Sequence, residues 1–253
     1  MMGAKISLEK ITKAFIETGS VLEEISLYVK EGEFVSIIGP SGSGKSTIFQ
    51  CIGGLLLPDN GEMFLGERKI NGGTGNIAYM PQQPSLLPWR TVLDNVLLGQ
   101  ELFQKPDKQE AQDWLKKINL SDYENAFPHQ LSGGMNQRVA FIRALLSPQS
   151  VLLLDEPFSA LDEFTRFDMQ KWLLSVWEEK RKSVLFITHN IEEAIFLSDR
   201  IYLLSPRPAK IVQEISIPFK RPRTDLLLLE NEFLQLKRDI YSALKAGGLH
   251  ESV

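Results

Sequence analysis

Hydrophobic and polar positions along the chain fall into two regimes. In the first third the apolar residues come in short runs. Residues 5–12, 26–29, Phe34–Ile38 and 62–65 read as strands, separated by glycine and by the Asp59-Asn-Gly61 turn. The run Phe34-Val-Ser-Ile-Ile38 ends in Gly-Pro, as expected of a parallel strand buried on both faces. The period then changes. Ala111, Trp114, Leu115 and Ile118 recur at the i, i+3, i+4, i+7 spacing of an amphipathic helix, and residues 91–103 also read as helix. Strand character returns at 150–154, 183–188 and Arg200–Leu204. Between the first two of these, Met169, Trp172, Leu173, Val176 and Trp177 mark one face of a helix. Prolines 206, 208, 218 and 222 punctuate the exit from the last of these strands. The tail then places Leu229, Phe233, Leu236, Ile240 and Leu244 on one stripe, expected to dock on the core. The pattern predicts an α/β chain whose sheet core, about 1–84 and 148–215, is interrupted by a helical segment at about 85–147. A helical tail at about 216–253 completes a single domain over 1–253.

Composition narrows the picture. The chain of 253 residues is 43% hydrophobic and 24% charged, with a mean hydropathy of −0.10, which is the balance of a globular protein. Apolar runs such as Val151 to Leu154 fall far short of the ~18 residues a spanning helix needs. The net charge of −4 supplies no basic footprint for nucleic acid, so no nucleic-acid partner is expected. Cys51 is the only cysteine, expected as a small buried hydrophobe. The opening MMGAKISLEK lacks the apolar centre of a secretory signal, and both observations point to the cytoplasm. The charged stretches EEKRK, ending at Lys182, and KRPR, ending at Arg223, are expected in solvent.

The chemistry begins at Gly39-Pro-Ser-Gly-Ser-Gly-Lys-Ser-Thr47, which follows a predicted strand, opens a helix and matches G-x-x-x-x-G-K-[ST]. Each part answers a physical need. Gly39, Pro40, Ser41, Gly42, Ser43 and Gly44 form a loop whose backbone N–H groups wrap phosphates. The helix N-terminus adds positive potential, Lys45 adds a point charge, Ser46 offers its hydroxyl to Mg²⁺, and Thr47 ends the nucleotide-binding motif and is expected to bind with it. Downstream, Val151-Leu-Leu-Leu-Asp155 is an apolar strand ending in a carboxylate suited to hold Mg²⁺, and Glu156 follows, placed to polarise a water in line with a γ-phosphate. His189 ends the next apolar strand and is expected to contact that phosphate.

At Leu131-Ser-Gly-Gly-Met-Asn-Gln-Arg138 the chain resembles the signature motif of the ATP-binding cassette (ABC) ATPases. As a structure, the motif is a helix capped by Ser132, with Gly133 and Gly134 permitting close approach to an anion. The resemblance implies a P-loop NTPase (RecA-like) core of mixed sheet, with a helical subdomain inserted between the P-loop and the Asp155 strand. It also implies ATP and Mg²⁺ as the groups bound, and a head-to-tail homodimer or paired cassette in which each nucleotide lies between Lys45 of one chain and Ser132 of the partner subunit. Phe15 falls where the family stacks an aromatic on adenine, with a core phenylalanine on a strand as the lesser alternative. Gln82 resembles the glutamine that meets Mg²⁺ and couples to the membrane partner, with Gln83 a competitor, and Ser159-Ala-Leu-Asp162 resembles the loop that crosses the dimer interface.

A finer resemblance is to the nitrate, sulfonate and taurine importer group, carried by Leu86-Leu-Pro-Trp-Arg-Thr-Val-Leu-Asp-Asn-Val96 and by Ser205-Pro-Arg-Pro-Ala-Lys-Ile-Val212. Met135 and Asn136 depart from the usual pair after the signature glycines. The implied role is the ATP-hydrolysing subunit of an importer at the cytoplasmic face of the membrane. It would be held there by permease subunits, and an extracytoplasmic solute-binding protein would deliver the cargo. An exporter subunit or a non-transport nucleotide switch are the alternatives.

Overall fold

The structure of the protein, a computed structural model, describes residues 4–159 and 161–249. In chain order its elements are β1 Ala4–Phe15, β2 Gly19–Lys30, β3 Phe34–Ile38, α1 Lys45–Ile52, β4 Asn60–Leu65, β5 Arg68–Lys69, β6 Ala78–Met80, α2 Val92–Glu101 and α3 Lys108–Lys117. They continue with α4 Gly133–Leu146, β7 Val151–Asp155, α5 Glu163–Lys180, β8 Ser183–Ile187, α6 Ile191–Leu197, β9 Arg200–Leu204, β10 Ile211–Ser216 and α7 Asn231–Leu249. Two compact bodies result. One runs up to Asn76 and resumes at Gln170, and the other is Ile77–Met169.

In the first body β3 is buried at all five positions. It lies parallel to β8 on one side and β9 on the other, and β10 adds antiparallel to β9, which makes the sheet mixed. A near-continuous apolar strand is what two covered faces require, and β3, β8 and β9 all read that way. Phe34 meets the Trp177 ring edge-on, with centroids 5.7 Å apart, so α5 contributes its predicted stripe to this core. A second, antiparallel sheet runs β2-β1-β4-β5. Arg200 is buried and fully engaged. It holds Glu33 in a bidentate pair at 2.9 and 3.0 Å, donates to Tyr202 and Glu214, and lies over the Tyr28 ring. Removing one partner of such a buried pair typically costs about 3–5 kcal/mol.

In the second body β6 and β7 pair in parallel, and α2, α3 and α4 form the helical segment that follows the P-loop in sequence. Each has a side-chain cap. Thr91 caps α2, Asp107 caps α3 and Ser132 caps α4. Such caps satisfy N–H groups that a helix leaves open, each contributing about 1 kcal/mol.

Several expectations meet corrections. KRPR is solvated only in part, since Lys220 and Pro222 are exposed but the two arginines turn inward. Arg223 is buried and its guanidinium donates to the carbonyls of Ile195, Phe196 and Ser198, while Arg221 donates to Leu197 O and pairs with Asp199. The reason is that α6 ends there with open carbonyls, and a guanidinium fork is the group that can satisfy several at once. Leu229 does not join the tail stripe. It closes a 3₁₀ turn, Asp225–Leu229, and is exposed, whereas Phe233 and Ile240 are fully buried. The strands β5 and β6 and the helix α6 are too short, at two, three and seven residues, for periodicity to reveal. Cys51 is buried as expected, and burial pushes its thiol up to about 11.

Candidate functional site

In the first body the P-loop leaves the C-terminal end of β3. Gly42 and Gly44 take left-handed backbone angles, with φ of 75° and 110°. A Cβ on Gly44 would also lie 2.9 Å from Val21 Cγ1, so glycine is required there by conformation and by space. Lys45, the first residue of α1, is buried and folds its ammonium into the loop, donating to the carbonyls of Gly39 at 2.9 Å and Pro40 at 2.8 Å. Ser43 Oγ is buried without a hydrogen-bond partner among the described residues. A buried hydroxyl with unused capacity, a buried ammonium and a glycine cradle at a helix N-terminus together fit a polyphosphate. Ser46 is exposed on the first turn of α1, and Thr47 is half-buried.

His189 reaches the same sheet edge through register. The pairing Ile37↔Ile187 sets Gly39 and His189 each two residues beyond a matched pair of parallel strands. Both line one cavity of about 600 Å³. The His189 backbone is bracketed on both sides. Thr188 is buried and its hydroxyl accepts from the Asn190 N–H at 3.0 Å. Asn190 in turn caps α6 by accepting from Glu192 N at 2.8 Å and Glu193 N at 3.2 Å.

Phe15 ends β1 with 37% of its surface exposed, which sets aside the core-phenylalanine reading. Its neighbours are pinned by Asp59, whose carboxylate accepts from Ala14 N at 2.6 Å and from Lys13 Nζ at 2.8 Å. These two bonds, the lysine's first, hold the Asp59 carboxyl below its ordinary value. Lys13 Nζ also stands 5.6 Å from the centre of the Phe15 ring. Phe15 pairs with Gly19 at the start of β2, two residues before the Val21 on which Gly44 rests, so ring and loop belong to one neighbourhood.

In the second body Asp155 is the last residue of β7 and is buried, and the Tyr79 hydroxyl from β6 donates to its Oδ2 at 3.4 Å. Burial first, and then the Asp155 charge, push the Tyr79 phenol well above its ordinary value. Glu156 is half-buried in a left-handed conformation at φ 45°, which is rare for a residue with a side chain. The Gln82 amide donates to Glu156 Oε2 at 3.3 Å, and the main-chain carbonyl of Gln83 accepts from Ser85 Oγ. Arg143 on α4 donates to the carbonyls of Pro84 and Ser85 and so holds the loop that carries both glutamines.

Ser132 Oγ accepts from Met135 N at 3.3 Å and caps α4. Beside it Gly133 is open on the Cβ side, while a Cβ on Gly134 would meet Leu161 at 2.8 Å. Asp162 is exposed and accepts from Thr165 N at 3.1 Å at the start of α5. Ala160, within the same quoted motif, lies outside the described residues. Asp59, Tyr79 and Arg143 carry no local sequence signal, because each acts on a residue that only folding brings near, whereas Asn190 is a local N-cap signal that the sequence reading passes over.

Known proteins resemble this chain closely. A family model described as ABC transporter matches residues 22–159. An uncharacterized ABC transporter ATP-binding protein of Methanocaldococcus jannaschii is 40% identical over 250 residues, 96% of this chain and 92% of that protein. The aliphatic sulfonates import ATP-binding protein of Bacillus cereus is 39% identical over 249 residues, covering 96% and 97%. The formylaminopyrimidine import ATP-binding protein of Halalkalibacterium halodurans is also 39% identical, covering 96% and 98%. Among solved structures, a dimeric ATP-binding cassette in a post-hydrolysis state bound to ADP and phosphate superposes with a TM-score of 0.74. It is 33% identical and covers 85% of this chain and 100% of its own.

Proposed function

Because the chain belongs to the ABC transporter family of ATP-hydrolysing transport subunits, we propose that it serves an importer, energising uptake of a small solute of sulfonate, nitrate, taurine or pyrimidine type. The support for import is its similarity over nearly its whole length to import ATP-binding proteins. Among the described residues no helix is long and apolar enough to cross a membrane, so permease subunits on other chains supply the path. A solute-binding protein supplies the cargo, and this chain lies at the cytoplasmic face.

The observation that carries the chemistry is the hydrogen bond from Gln82 to Glu156. It joins the glutamine proposed to report the permease to the carboxylate proposed to take a proton from the attacking water. The P-loop, Gly39 to Thr47, grips the ATP phosphates through Lys45 and the backbone. Phe15 offers its exposed ring to the base, and His189 holds the γ-phosphate. Ser132, Gly133, Gly134 and Asp162 serve a nucleotide shared with a second copy in a head-to-tail dimer. Ser46, Asp155 and Gln82 are the proposed ligands of Mg²⁺, a hydroxyl, a carboxylate and an amide oxygen that suit a hard cation. When bound, the ion neutralises charge on the phosphate oxygens.

The test is Glu156→Gln. The purified variant is expected to bind ATP as the parent does and to dimerise with it, while phosphate release falls about 10²–10⁴-fold, because only the proton acceptor is lost. Hydrolysis at the parental rate would remove Glu156 from the role of base. For import, co-purification with a permease and a solute-binding protein is the expected result. A permease that works without any binding protein would favour export.

A further inference from the structure

The last stretch of the chain grips α6 at both of its ends. At the C-terminal end, Arg223 donates to the carbonyls of Ile195, Phe196 and Ser198 at 2.9, 2.9 and 2.7 Å, and Arg221 donates to Leu197 O at 2.6 Å. At the N-terminal end, Lys237 on α7 donates to the carboxylate of Glu192, the second residue of α6. The tail is itself anchored by Phe233, fully buried against Phe219 with ring centroids 5.9 Å apart. This helix begins two residues after His189. Its cap, Asn190, binds the N–H of the same Glu192 that Lys237 holds, so the ion pair and the cap act on one residue. Beyond Lys237, Tyr241 and Leu244 of α7 line the cavity that Pro40, Ser41 and His189 line from the other side. The tail therefore stands along the phosphate edge and is tied to the turn that carries the histidine.

We propose that the C-terminal tail is a brace that sets the position of His189, with Lys237 as its positioning residue acting through Glu192 and Asn190. The proposal rests on the reading of His189 as the group that holds the γ-phosphate. A short helix can slide along its axis when an end is loosened, and a histidine two residues ahead of it would move with it. Lys237 itself lines that cavity, but its ammonium is bonded to Glu192 and not to the P-loop, so its loss should act on turnover more than on ATP affinity.

The experiment compares ATP turnover and melting temperature of the purified full-length chain with those of K237A, the charge reversals K237E and E192K, their double variant, and H189A. For K237A, kcat is expected to fall about two- to fivefold, the range open to a partly exposed ion pair, with KM for ATP changed less than about twofold and the melting temperature kept. The double reversal restores most of the turnover that each single reversal loses. A merely structural contact would move the melting temperature and leave the kcat to KM split untouched. If H189A is slow but K237A turns over at the parental rate, or the double reversal restores nothing, the brace is overturned alone. If H189A itself hydrolyses at the parental rate, the reading of His189 falls and the brace with it.

Discussion

Glu156 illustrates how single residues carry the design. It follows an all-buried strand, yet its backbone is left-handed, a conformation that costs a residue with a side chain about 1–3 kcal/mol and persists only where neighbours enforce it. The turn that follows does so, through Ser159 N to Glu156 O at 3.1 Å. Phe15 is held outward by a different device, the Asp59 carboxylate on Ala14 and Lys13. Removing it in Asp59→Ala is expected to raise KM for ATP about two- to fivefold with kcat kept, read by steady-state kinetics, since both hydrogen bonds to the carboxylate are lost. Its pH dependence has a clear sign. The depressed carboxyl contributes fully above the unfolded value of 3.8 and is lost only as pH falls below it, through the folded value, so the effect of the substitution should be flat from pH 6 to 8. The aromatic was legible in the sequence, but its clamp, 45 positions from Ala14, was not.

Among the elements, α6 depends most on its surroundings. Seven residues are too few for a helix to persist alone in water. Its acidic first turn and Asn190 cap favour its start, and the guanidinium of Arg223 closes its end. Burial lowers Arg223 to about 10, which still leaves it charged at neutral pH. Arg223→Ala is expected to destabilise the chain by about 2–4 kcal/mol in urea unfolding, as several buried carbonyls lose a charged donor together, and Arg223→Lys less. The run KRPR reads as solvated because charge is the only feature visible in sequence. What draws its two arginines inward is the set of open carbonyls they meet. Strands β3, β8 and β9, in contrast, were plain from their unbroken apolar runs, since two covered faces leave no room for alternation.

For the molecule as a whole, nucleotide should act as a stabilising ligand. At an ATP concentration about 100-fold above Kd, binding adds ~2.7 kcal/mol, so calorimetry should show the melting transition of the first body rise by about 5–10 °C. Lys45→Ala should remove most of that rise. The residues proposed to carry the chemistry were legible in the sequence alone. The glycine loop, the apolar strand ending in Asp155 and Glu156, and the capped glycines after Leu131 are local patterns whose physics is complete within a few residues, and so was the α/β class. Tertiary structure alone decided what holds those residues in place. The register of β3 against β8 brings His189 to the P-loop edge, the β1–β2 pairing brings Phe15 to the same neighbourhood, and Gln82 reaches Glu156. The tail, which the sequence could describe only as amphipathic, turns its arginines and Lys237 onto α6. A hydrogen-bond donor is fixed by residue type, but its acceptor is chosen by where the backbone brings an open carbonyl or carboxylate. That choice is not written at any one position of the chain.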